Sequence, residues 1–383
     1  MGALTLKPGT VFAEDYRVVE RLSEGGQGAL YVVEQLSTKR RRALKLMLPE
    51  LVTRPALRRR FEAEARIGAR IKSDHVVDVI ASGVEATTGT PWLVMELLEG
   101  EELGAHVEQA GPLPPAEVRD ILGQACHALG EAHLQGIVHR DLKPENLFLE
   151  RTRRRRGRFL VKVIDFGVAR IVAEAKTAST TQSMLGTPLW MAPEQVTPGV
   201  PITPAADVWS LGLLAFYMLT GKSFWQTARV SEASVWRILN EVCVTALPSA
   251  SARAAELERA SLLPEGFEAW FARCVDRDAG KRFPDAAQAF AALETVLGVD
   301  EAPLRGSVEP AAPVRRSSTE PAPPVAAAEE APVAKGVRPR ARWWTLAVLV
   351  VICALGALAW RGAGSGPDAG APAVGAGDAS PAR

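Results

Sequence analysis

Apolar positions in the first hundred residues fall in short runs rich in β-branched and aromatic side chains. "YRVVERL" (16–22) and "ALYVVEQL" (29–36) flank a glycine-rich turn and predict a hairpin. "RALKLM" (42–47) continues the strands, and "WLVMELL" (92–98) closes them as an apolar strand. Between them, "ALRRRFEAEARIGARI" (56–71) predicts a helix with Phe61, Ala65, Ile67 and Ile71 toward one side. From Pro114 the apolar period becomes helical. "PPAEVRDILGQACHALGEAHLQG" (114–136) places Val118, Ile121, Leu122, Ala125 and Leu129 on one stripe, with Pro115 and Gly136 at its ends. "ADVWSLGLLAFYMLTG" (206–221) is apolar on nearly every side but too short to cross a bilayer, which predicts a central buried helix. Regular structure is expected to end near Leu297.

Beyond that point the pattern breaks. Glu301 to Arg340 is rich in Pro and Ala with scattered charges, an extended linker unable to bury a core. "WWTLAVLVVICALGALAW" (343–360) then runs 18 residues without a charge, with Trp at both ends. Arg338, Arg340 and Arg342 precede it and Arg361 comes directly after, so the expectation is one transmembrane helix with its N-terminal side inside. Residues 361–383 read as a short disordered tail of Gly, Ala and Pro.

Composition narrows the function only slightly. Forty-five basic and 44 acidic residues leave a net charge of +1, so no global field points to nucleic acid. The basic clusters Lys39–Arg42, Arg58–Arg60 and Arg151–Arg158 read as solvated loops or helix faces. Cys126, Cys243, Cys274 and Cys353 show no C-x-x-C spacing and read as small apolar residues. "MGALTLKPGTVF" lacks a signal-peptide apolar run, and Leu6 breaks the myristoylation pattern, so the first domain is expected in the cytoplasm.

The turn in the first hairpin, "RLSEGGQGALYVVE", approaches G-x-G-x-x-G-x-V with Ser23, Gly25, Gly28 and Leu30 at the pattern positions. Alone it is weak, because a glycine hairpin reads the same way. The motifs downstream of it decide. Lys45 lies on the next strand and Glu64 on the next helix. "HRDLKPEN" (139–146), "DFG" (165–167), "APE" (192–194), "DVWSLG" (207–212) and "RDAGKRF" (277–283) come in order. Together these motifs resemble the protein kinase family, in particular its bacterial eukaryotic-like Ser/Thr members, over roughly Tyr16 to Leu297.

The resemblance implies an α+β, two-lobed fold, with a small β-rich lobe (about 16–98) and a larger helical lobe (about 99–297). A lead-in (1–15), linker (298–342), membrane helix (343–360) and tail (361–383) complete the chain. It implies ATP and Mg²⁺ as cofactors and protein Ser/Thr hydroxyls as acceptors. Phosphoryl transfer needs positioning and charge neutralisation. Leu22, Ser23, Gly25, Gly26, Gly28, Leu30 and Ala43 would enclose the nucleotide, with Met95 behind the adenine and Glu96 and Leu98 offering main-chain hydrogen bonds. Lys45 would neutralise the α- and β-phosphates and pair with Glu64. Asn146 and Asp165 would hold Mg²⁺ through oxygen. Asp141 is the candidate base, Lys143 would face the γ-phosphate, and Thr187 would support Asp141.

Asp207 would brace the catalytic loop, and Arg282 would pair with Glu194. Arg140 would bind phosphate placed on Thr177, Ser179, Thr180, Thr181 or Ser183. Autophosphorylation is expected on Thr180 or Thr181, through a homodimer acting in trans. Departures from the family pattern are Ser23 for a glycine, Arg42 for an apolar residue and Trp190 for a tyrosine. None removes a group that does chemistry. Two other readings stay open: a small-molecule phosphotransferase of the kinase-like superfamily, and a catalytically weak nucleotide-binding scaffold.

Overall fold

The computed structural model describes residues 4–25, 28–47, 68–151, 159–166, 188–229 and 235–298. The chain divides into two units, Met1–Arg305 and Gly306–Arg383, and all described residues lie in the first. The predicted linker beyond Gly298, the membrane segment and the tail lie outside the described residues. So does most of the helix expected at 56–71, of which residues 68–71 are described, Gly68–Arg70 as a 3₁₀ turn and Ile71 buried just after it. Among the described residues no helix is long and apolar enough to cross a membrane.

The first part is a six-stranded antiparallel sheet in the order β1-β2-β3-β4-β6-β5. Its strands are β1 (Val11–Phe12), β2 (Tyr16–Gly25), β3 (Gly28–Gln35), β4 (Arg40–Met47), β5 (Val79–Val84) and β6 (Pro91–Glu96). One face buries Phe12, Tyr16, Val18, Tyr31, Leu44 and Val94. The β2, β3, β4 and β6 assignments match the periodicity, whereas β1 and β5 were not legible. β5, "VIASGV", has small residues where an apolar alternation would show. Its Gly83 is needed because a Cβ there would lie 2.6 Å from the Trp92 ring.

The second part is mainly helical: α1 (Leu103–Ala110), α2 (Pro115–Leu134), α3 (Pro193–Val196), α4 (Ala205–Thr220), α5 (Val235–Cys243), α6 (Ala250–Glu256), α7 (Phe267–Cys274) and α8 (Ala286–Leu297). α2 starts with Pro at its first position, where the missing N–H costs nothing, and buries the predicted stripe. α4 is the buried centre, and every residue but Tyr217 is buried. It stops at Gly221, whose left-handed φ of 68° a side chain would resist.

A small sheet, β7 (Gly100–Glu102), β8 (Leu147–Arg151) and β9 (Phe159–Val163), lies beside these helices. β8 follows the segment His139–Asn146, and β9 leads into Asp165. The Val77 N–H donates to Val163 O at 3.1 Å and the Val163 N–H to His75 O at 2.8 Å. The segment before β5 is thereby stitched to the strand that leads into Asp165. Cys126 and Cys274 are buried free thiols, and Cys243 is half-buried. Burial pushes the thiols of Cys126 and Cys274 far up, so both behave as the apolar residues expected.

Candidate active site

The segment His139–Asn146 is built around an unusual turn. Arg140 has φ of 69° and Asp165 has φ of 65°. Left-handed backbone at a non-glycine residue costs about 1–2 kcal/mol and persists only where surrounding structure holds it. At Arg140 that structure is Asp207, the third residue of α4. Its Oδ1 accepts the Arg140 N–H at 2.8 Å and its Oδ2 the His139 N–H at 2.8 Å. Oδ2 also accepts from His133 Nε2 at 2.9 Å, and His133 Nδ1 accepts the Ala286 N–H at 3.2 Å. Burial alone would raise the Asp207 carboxyl. The hydrogen bond from His133, with the backbone donors, holds it below the ordinary value instead.

His139 is fully buried. Its Nε2–H donates to Ile164 O at 2.9 Å and its Nδ1 accepts the Asp141 N–H at 3.3 Å, so two backbone groups settle the tautomer. One imidazole thus joins the segment of Asp141 to that of Asp165. Its ring also meets buried Phe166 edge-on, centroids 4.7 Å apart.

Asp141 receives two donors on one oxygen. Lys143 Nζ lies 2.9 Å from Oδ2, and Asn146 Nδ2 lies 3.1 Å from the same atom and 2.6 Å from Asp141 O. Among the described residues Oδ1 carries no hydrogen bond, so it can accept one from a hydroxyl. Lys45 Nζ sits 2.5 Å from Asp165 Oδ2. Burial would raise Asp165, but the Lys45 charge and hydrogen bond, with lesser help from Lys143, hold it low. The expected Lys45–Glu64 pair cannot be placed, because Glu64 lies outside the described residues; the carboxylate found on Lys45 is Asp165.

The donor set suits a magnesium ion. Asn146 uses Nδ2 internally and keeps its carbonyl oxygen. Asp165 uses Oδ2 on Lys45 and keeps Oδ1 among the described residues. Two oxygens, one anionic and one neutral, match the preference of a hard cation.

On the sheet side, β2 and β3 meet at the pair Gly25↔Gly28, and Ser23 pairs with Leu30 beside a register shift. Gly28 has φ of 137°, and a Cβ there would lie 1.9 Å from Leu46 O, so β4 itself requires this glycine. Ser23 is not among the described non-glycine residues of positive φ, so its backbone is unstrained. Gly26 lies outside the described residues. Ala43 pairs with Met95 across β4 and β6. Glu96 donates its N–H to Asp78 O at 3.0 Å. Its carboxylate accepts from the Asp78 N–H at 3.0 Å and from Lys162 Nζ at 2.8 Å. Met95 lines a small cavity together with Leu93, Asp165 and Phe166, which brings the sheet and the catalytic segment to one place. Leu98 is half-buried, and Leu22 is half exposed.

Around this set runs a buried frame. Arg282 donates from Nη1 to Glu194 Oε1 at 2.7 Å and from Nη2 to Oε2 at 2.8 Å. It also donates to Ala205 O and Asp276 O, and its guanidinium lies 5.0 Å from the Trp209 ring centroid. Trp190, the departure from tyrosine, packs edge-on against Tyr217, and its carbonyl accepts from Ser210 Oγ at 2.8 Å. Thr187 and the acceptors Thr177, Ser179, Thr180, Thr181 and Ser183 lie outside the described residues. Sequence reasoning missed His133, Lys162 and Gln195. His133 sits on the buried stripe of α2 and Lys162 interrupts an apolar strand, and those two out-of-place polar residues were the available signal.

Comparison with known proteins bears on this geometry. A family model described as protein kinase domain matches residues 16–292. The serine/threonine-protein kinase Pkn1 of Myxococcus xanthus is 41% identical over 207 residues, 54% of this chain and 29% of that protein. The serine/threonine-protein kinase PknB of Mycobacterium leprae is 32% identical over 212 residues, 55% of this chain and 33% of its own length. The chain therefore spans about a third or less of the curated relatives it matches. Among solved structures, the kinase domain of Mycobacterium tuberculosis PknI aligns with a TM-score of 0.57 at 24% identity. That alignment covers 77% of this chain and all of that one, a likeness of fold.

Proposed function

The chain belongs to the protein kinase family, and from that premise we propose that it is an ATP-dependent protein serine/threonine kinase. The observation that carries the reading is Asp141: among the described residues both of its side-chain donors sit on Oδ2, and Oδ1 is left to accept from a substrate. ATP with Mg²⁺ supplies the phosphoryl group and neutralises its charge when bound. Lys45 offers a cation to phosphate oxygens, and Asn146 and Asp165 offer oxygens to the metal. Asp141 orients the acceptor hydroxyl and takes its proton at Oδ1, while Lys143 keeps a positive charge beside the site of transfer. Ser and Thr as acceptors follow from Lys143 in the catalytic loop and from the relatives' names.

The test is Asp141→Asn in the full chain, assayed with ATP and a generic Ser/Thr protein. Transfer should fall by about 10²–10⁴-fold with folding unchanged. Undiminished transfer by this variant rules the reading out.

The proposal extends to regulation and place. Residues 343–360 form a single membrane span, with the kinase domain on the cytoplasmic side where ATP is available and the arginines before Trp343 reside. Thr180 or Thr181 is autophosphorylated in trans by a second copy, and Arg140 binds the phosphate. Protease added to spheroplasts should spare the kinase domain, and mass spectrometry of active protein should find phosphate within 177–183.

A further inference from the structure

The peptide bond just before Asp141 is held from both sides. The N–H of the preceding peptide, on Arg140, is fixed on Asp207 Oδ1 at 2.8 Å, and the N–H of this one, on Asp141, donates to His139 Nδ1 at 3.3 Å. The carbonyl of that bond, Arg140 O, accepts from Gln195 Nε2 at 2.6 Å. The same Gln195 amide accepts the Ala192 N–H on Oε1 at 2.9 Å. Both partners are backbone groups of opposite polarity, so only one orientation of the Gln195 amide satisfies both. Gln195 comes directly after Glu194, whose carboxylate is clamped by the two nitrogens of Arg282. A single side chain therefore carries the rigidity of that buried pair to the strained turn at Arg140.

We infer that Gln195 is a positioning residue for the catalytic loop, fixing the Arg140–Asp141 peptide plane and with it the direction of the Asp141 side chain. It also ties Asp141 to the seating of residues 188–192, which end at the N–H that Gln195 accepts. The inference rests on the reading of Asp141 as the base. A misplacement of about 1 Å at such a group can cost about a hundredfold in rate. The competing role is a helix cap alone, since the Oε1 bond to Ala192 is one half of a capping box at the start of α3.

Two variants separate these roles in the full chain. Gln195→Glu keeps the acceptor for Ala192 but cannot donate to Arg140 O. Gln195→Met keeps the length and loses both bonds. Both should lower kcat on the order of tenfold, with KM for ATP within about twofold of wild type. Thermal-shift titration with ADP should show unchanged nucleotide binding, which also reports that each variant is folded. A Gln195→Glu kcat within about twofold of wild type would mean a cap only, and the inference falls. A rise in KM for ATP that matches the fall in kcat, or lost ADP binding, would mean general damage and also overturns it. If wild type shows no Asp141-dependent transfer, the kinase reading fails first and takes the inference with it; wild-type activity beside an active Gln195→Glu sinks the inference alone.

Discussion

Arg282 and Glu194 expose 0% and 4% of their side chains, and His133 and Asp207 expose 3% and 1%. Lys45 and Asp165 expose 16% and 14%, and Lys143 and Asp141 12% and 18%. The first set satisfies its charges within the protein, with Arg282 donating to two carboxylate oxygens and two carbonyls. The second set keeps spare acceptors for a ligand. Groups that hold backbone are thus fully buried and saturated, and those of the candidate site are less completely shielded and incompletely matched. Low dielectric strengthens the first group and makes its disruption costly, while partial solvation lets the second exchange partners.

The sharpest way to break this contrast is Arg282→Leu. It leaves Glu194 buried without a cation, and stability should fall by about 3–5 kcal/mol in urea unfolding. A loss below about 1 kcal/mol would place this pair with the exposed ones. Lys45→Met should do the reverse, lowering kcat/KM for ATP by about a hundredfold, while thermal stability changes little. If it destabilises as Arg282→Leu does, the distinction collapses.

Asp207 tests the buried set through pH. Its carboxyl is held below its ordinary value of 3.8. A lowered folded-state pKa contributes stability that is complete above the ordinary value and is lost as pH falls through the folded one. Acid titration should therefore destabilise wild type below that range more steeply than Asp207→Asn. At neutral pH the variant should already be less stable by about 1–3 kcal/mol, because the new amide opposes a backbone N–H. Parallel acid profiles would exclude Asp207 as the source.

Lys162→Met probes an uneven pair, in which the lysine exposes 9% of its side chain and Glu96 24%. Loss of its hold on Glu96 should raise KM for ATP by about three- to fivefold with kcat nearly constant. A fall in kcat alone would place Lys162 with the catalytic loop instead. Smallest of all should be Ser23→Gly. With Ser23 unstrained, KM for ATP should stay within about threefold. A larger gain would show a loop impaired by the serine.

Much of the site was legible because the motifs are contiguous. "HRDLKPEN" places Asp141, Lys143 and Asn146 within one turn of chain, and their mutual bonds need little from elsewhere. The long helices α2 and α4 were equally plain, since a stripe and a wholly apolar run each demand a partner surface. β5 and β7 were not legible: β5 carries small residues in place of an apolar alternation, and β7 is three residues whose pairing is supplied by the distant β8.

By itself, the order and spacing of residues determined the family and its two-part fold, and singled out Asp141, Lys45, Asn146 and Asp165 as the candidate groups. Those properties depend on local chemistry and on motifs read along the chain. Only the tertiary structure decided that Lys45 meets Asp165 across 120 positions of sequence, that His133 completes Asp207, and that Gln195 grips Arg140. Hydrogen bonds between distant segments depend on distances of about 3 Å, and such distances exist only after the core has packed.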